Sequence, residues 1–304
     1  MDSVSTPPVT QQSSLRKASQ RFFKSISARI GLILTVLIIV LALLAPILRP
    51  YDPATARDFA ARLQPPGAVH LLGTDGLGRD MLTLIWYGTR ISLLVSVLSV
   101  GLGLITGTLM GLVAGYFRGW WETIIGWFTD ILLAFPSILL AIAIASIDLN
   151  FPPLFTAVFN PDLLNVMIAV GIVQVPIFTR LTRSMVLSLR EQGFVQTVRA
   201  FGAKPGRIIF LHILPSSLAP LVVQATLSIG TATLEAAGLG FLGLGAKPPT
   251  PELGTMLSDS FNNGYALSKS WTILFPGLMI TLIVLAFNLL GDGLRDSLDP
   301  RSNR

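Results

Sequence analysis

Six stretches of the chain stay apolar long enough to cross a bilayer, and short polar segments separate them. A hydrocarbon core of about 30 Å takes roughly 20 helical residues. Residues 30–48 form the first run, and 91–117 a second that is longer than needed, so tilted or extended into the interface. Residues 131–147 make the third, its helix expected to begin a turn or two before Asp130. A shorter fourth run, 163–179, continues toward Arg180; 213–234 is the fifth and 271–291 the sixth. The pattern predicts an all-α, polytopic membrane protein with six transmembrane helices in one domain, 29–301. Residues 1–28 read as a tail whose first dozen are rich in Ser, Thr, Gln and Pro, and 302–304 as a short end. The opening apolar run exceeds the core of a cleaved leader and nearly thirty residues precede it, so it reads as a retained span.

Composition agrees with the pattern. Only 12% of residues are charged, where a water-soluble domain averages about 25%, and mean hydropathy is +0.69. With no cysteine, thiolate catalysis, disulfides and cysteine metal sites are excluded. The pI near 10.1 does not point to nucleic acid, because the basic residues cluster beside the apolar runs. Fifteen of the 22 Lys and Arg fall on one side if both termini lie inside, from Arg21, Lys24 and Arg29 through Arg118 to Arg295. That bias sets both termini in the cytoplasm.

One polar segment stands apart. Residues 191–215 read EQGFVQTVRAFGAKPGRIIFLHILP and fall on the inner side. Gly202 is placed to end a helix in a left-handed cap, and Pro205 suits the first turn of the next. Phe194, Val198 and Phe201 share one face, while Arg199, Lys204 and Arg207 make the turn basic. A short helix, a glycine turn and a second helix at the inner surface form a hinge shaped to dock into a partner.

Within the spans, Gly103, Gly107, Gly111 and Gly115 recur every four residues and let another helix approach closely; the other reading is that they line a solute path. Pro136, Pro176 and Pro276 are expected to kink their helices. Two acids lie within or beside apolar runs, where a charge costs about 2.5–3.5 kcal/mol at a helix centre. Asp130 is expected near the inner end of its helix, satisfied by water and N-terminal amides. Glu235 follows 22 uncharged residues and is expected near the outer surface, either marking the solute path or tying down the next loop. Two isolated acids make no proton relay. The glycine-rich string from Gly73 to Asp80 lacks the Lys-Ser/Thr of a phosphate loop, and His70 and His212 are on opposite sides, so neither nucleotide nor metal binding is expected.

Several blocks resemble permease subunits of ATP-binding-cassette importers. The hinge, with Gly202 followed thirteen residues later by Pro215 in His-Ile-Leu-Pro, resembles their cytoplasmic coupling loop. The blocks at 70–80, 90–95, 130–137, 240–252 and 287–301 resemble the peptide/nickel subfamily, and the long amino-terminal section its C-type subunit. The resemblance implies a permease core of about 85–297 and a coupling loop of 188–215. It assigns coupling to Gln196, Thr197, Val198, Arg199, Gly202, Ala203 and Pro215, with Gln-Thr-Val standing where the family usually has Glu-Ala-Ala. It implies a non-catalytic subunit of the bacterial cytoplasmic membrane that binds no cofactor itself, ATP and Mg being held by partners. Those partners are a homologous second permease, two ATPase subunits, an extracytoplasmic solute-binding protein and membrane lipid, with no nucleic acid. Peptides are the implied solute, with nickel or glutathione-like solutes as the alternative. An ion-coupled secondary transporter would need ion-binding acids or unwound half-helices, and a channel would need a filter; neither is evident.

Overall fold

The structure, a computed structural model, describes residues 19–52, 56–147, 149, 151–156, 160–247 and 249–298. Most of the tail at 1–28 and the end at 302–304 therefore lie outside the described residues. Among the described residues nine helices carry the architecture: α1 (Ile26–Leu48), α2 (Met81–Phe117), α3 (Gly119–Ala134), α4 (Ser137–Ala145), α5 (Pro161–Arg190), α6 (Gly193–Ala200), α7 (Pro205–Phe241), α8 (Leu253–Asn262) and α9 (Trp271–Leu298). Five of them, α1, α2, α5, α7 and α9, are long and apolar enough to span a membrane by themselves. The pair α3 and α4, bent by 96° where they meet, makes a sixth when counted as one broken span.

That bend corrects the expected third helix. It begins at Gly119, about three turns before Asp130 rather than one or two, and breaks at Phe135-Pro136. Proline drives the preceding residue into extended backbone, and Phe135 sits at φ −90°, ψ 140°. Pro176 and Pro276, by contrast, lie inside uninterrupted helices. Pro176 is buried.

The tightest seam joins α2 to α5. A Cβ added at Gly103 would stand 2.6 Å from the Gln174 Cβ, one at Gly107 2.6 Å from the Val175 carbonyl, and one at Gly111 2.6 Å from the Thr182 Cβ. The glycines therefore bring two backbones together, as small residues do in membrane bundles. This corrects their candidate role in a translocation path: Gly103, Gly107 and Gly111 are filled by α5 and leave no room for a solute. Ser99 donates to the Met167 carbonyl along the same seam, and Ser96 pairs with Thr233 of α7 at 2.9 Å. On the other flank α1 lies against α9, where a Cβ at Gly31 would meet the Leu290 nitrogen at 2.4 Å.

At the end of the bundle opposite the hinge, an ordered segment caps the helices. Asp80 accepts from the Thr83 N–H to start α2 and pairs with Arg49 at 2.8 Å, ten residues before the expected boundary. Arg90 ends the apolar run but not the helix. In the Gly73–Asp80 turn, Asp75 accepts from the Leu77 and Arg79 N–H groups and from the Arg79 side chain. Those donors are spent within the turn, so it forms no phosphate cradle.

Candidate functional site

The hinge follows the expected helix–glycine–helix plan. Gly202 adopts φ +79°, and its N–H donates to the Arg199 carbonyl while that of Ala203 reaches Val198. This is a left-handed cap, and Pro205 occupies the first turn of α7. The expected single apolar face divides in two. Phe194 and Phe201 are exposed, whereas Val195 is buried and Val198 and Ala203 are partly so. The inward set packs with Leu112 of α2, Val186 of α5 and Ile208, Ile209 and Ile213 of α7. Gln196, Thr197 and Arg199 stay exposed. Thr197 donates to the Gly193 carbonyl, so its hydroxyl is used inside α6. Residues 209–213 form a wider π turn in which the Leu214 N–H reaches back five residues to Ile209. This turn precedes Pro215, which has no N–H to give an ordinary helix.

Asp130 departs from its expected setting: it pairs with Arg180 at 2.6 Å, and Glu122 with Arg183, so α5 supplies the countercharges rather than N-terminal amides. Glu235 lies half-buried in the half of the bundle away from the hinge, two residues beyond Thr233, which pairs with Ser96 of α2. Its carboxylate accepts from the Gln174 amide at 3.3 Å and from the Ser137 hydroxyl. Thr233 sits against Ser96, six residues or roughly 9 Å along α2 from Arg90 at 1.5 Å per residue. The carboxylate is thus half-buried within the bundle, beside the first residue of α4, where the bent span turns.

Comparison with known proteins places this geometry. Residues 107–304 match the family described as binding-protein-dependent transport system inner membrane component. The chain belongs to this family. Residues 13–66 match the N-terminal transmembrane domain of oligopeptide transport permease C. The permease is 51% identical to a dipeptide transport system permease protein of Alkalihalophilus pseudofirmus, over 98% of this chain and 94% of that one. It is 44% identical to a di/tripeptide transport system permease protein of Pseudomonas aeruginosa, over 98% and 96%. A glutathione transport system permease protein of Pectobacterium atrosepticum is 40% identical over 98% and 96%. In fold, the permease matches an inward-facing MetNI methionine ABC transporter with TM-score 0.56 and 21% identity, covering 72% of this chain and 98% of that one.

Three residues of the permease gain their significance only from the fold. Gln174 and Ser137 look unremarkable in sequence; the packing of α5 on α7 brings the first to Glu235, and the bend brings the second. Glu252 stands in the sequence merely as part of a motif. It is 4% exposed and caps α8, accepting from the Gly254 and Thr255 N–H groups at 2.8 and 2.9 Å, with Ser92 at 3.5 Å. Burial pushes its pKa up to about 7, against the opposing pull of those donors. A Cβ at Gly240 would meet the Glu252 Oε2 at 2.1 Å, which explains the glycine there. A carboxylate followed two residues later by glycine, before a helical pattern, is the signal that could have found it. Among the described residues no group of three His, Asp or Glu could hold a metal ion.

Proposed function

We propose that this chain is the non-catalytic permease subunit of an ATP-driven importer that carries peptides across the bacterial cytoplasmic membrane. Two relatives named for dipeptide or di/tripeptide transport, matching nearly the whole chain at 51% and 44% identity, support peptides as the solute. The 40% match to a glutathione permease favours a second reading in which the solute is glutathione-like, itself a small peptide. The observation that carries the mechanism is the hinge: an exposed edge of Gln196, Thr197, Arg199 and Phe201 is locked to three long helices by Val195, Val198 and Ala203.

In this reading the hinge faces the cytoplasm, and both termini lie there with it. Two ATPase subunits bind ATP and Mg, and one takes the exposed edge of α6. A second, homologous permease completes the path, a solute-binding protein delivers from outside, and lipid covers the apolar surface. Gly202 and Pro215 fix the angles at which α6 and α7 leave the turn. Coupling comes from differential contact of the hinge with the open and closed ATPase pair. The test is ATP hydrolysis by the complex that co-purifies with this chain in lipid nanodiscs. Stimulation by peptide-loaded binding protein is expected; an assembled, folded preparation without ATPase activity would overturn the proposal.

A further inference from the structure

Among the described residues, no cation answers the half-buried carboxylate of α7: Glu235 has neutral partners only, Gln174 and Ser137. Arg180 and Arg183 lie six and nine residues further along α5 toward the hinge, and Asp130 and Glu122 already engage them. Glu235 itself is half-buried and still reachable, while Gln174 is fully buried, and among the described residues its Oε1 atom meets no hydrogen-bond donor. An ionisable side chain inside a membrane bundle is costly and faces a cavity or a partner.

We propose that Glu235, Gln174 and Ser137 form a seat for a primary ammonium group of the transported solute. An –NH3+ group carries three donors and no acceptor. Three acceptors match: a carboxylate oxygen and the Ser137 hydroxyl oxygen, both reachable, and the orphaned Gln174 Oε1, which is covered until the Gln174 amide turns toward the arriving group. The cargo this selects is a solute with a free amino terminus, which acts as the missing counterion while it passes. Arrival of the ammonium satisfies Gln174 and neutralises Glu235 together, at the point where the bent span turns. Ser137 opens α4, so the seat couples the charge of the solute to the geometry of that bend. This rests on the peptide-importer reading above and names the part of the peptide that the permease recognises.

The test uses the complete importer in liposomes, with its binding protein, and radiolabelled dialanine as the probe. The quantity read is dialanine taken up per ATP hydrolysed. Glu235→Gln is expected to lower that ratio at least tenfold, with Glu235→Asp recovering part of it. A purely structural role would lower assembly and leave the ratio of the surviving complexes at the wild-type value, which overturns the seat. So does carbodiimide cross-linking of Glu235 to a lysine of the second permease in the resting complex, since the counterion would then be protein. Wild-type importer that hydrolyses ATP but takes up no dialanine fails the peptide reading itself, and the seat with it.

Discussion

Protonation of Glu252 couples folding to pH. Its pKa is about 7 in the folded chain against an ordinary 4.5, so the folded state holds the proton more tightly across that interval. The associated stability is fully present below pH 4.5 and is lost as pH rises through 7, about 3 kcal/mol in all at 1.36 kcal/mol per unit. Thermal unfolding in nanodiscs is expected to fall in midpoint between pH 5 and 8. Glu252→Gln keeps one capping acceptor and should flatten that dependence; an unchanged slope would show that other groups set it. At Gly202 the constraint is steric. With φ +79°, any side chain costs roughly 1–2 kcal/mol at the turn, and a carboxylate adds charge beside Arg199. Gly202→Asp is expected to leave the spans folded while abolishing peptide-stimulated uptake, and normal uptake would remove the hinge from the coupling route. Gly202 is legible in the sequence because its backbone demand is local. The setting of Glu235 is not, because its depth depends on where α5 and the bend lie.

Among elements, the α2–α5 seam carries the most exacting packing. A side chain at Gly107 must displace the Val175 carbonyl and the Phe178 Cβ, both under 3 Å from where its own Cβ would sit. Overpacking of this kind costs about 1–3 kcal/mol per site. Gly107→Leu should lower the thermal midpoint of the assembled complex by several degrees, whereas a leucine at Gly126, which has nothing within 4 Å, should leave it alone. Four-residue glycine spacing announces this seam, since periodicity on a helix is a sequence property. The bent span is only half announced. Pro136 marks the break, but Glu122 and Asp130 hide the start of α3, reading as polar interruptions until Arg183 and Arg180 are brought beside them.

For the molecule as a whole, the five unbroken spans are legible because apolar length needs no tertiary information. Orientation is open to direct measurement, since the chain has no cysteine of its own. Single cysteines at Val69 and Phe201, exposed by 83% and 87%, report the two ends of the bundle. In right-side-out vesicles a membrane-impermeant maleimide should label position 69 at once and position 201 only after permeabilisation; the reverse would invert the topology. One further consequence follows from α7 being a single helical run from Pro205 to Phe241. Glu235 rides on the same rod as the hinge, roughly 45 Å along it at 1.5 Å per residue. A swing of about 5° at the hinge would carry that carboxylate some 4 Å, by this arm length, farther than its 3.3 Å bond to Gln174 can follow. Under the proposed coupling, the two ends would work like an escapement: each stroke of the motor would release one tooth, and a tooth still engaged would hold the motor's next beat.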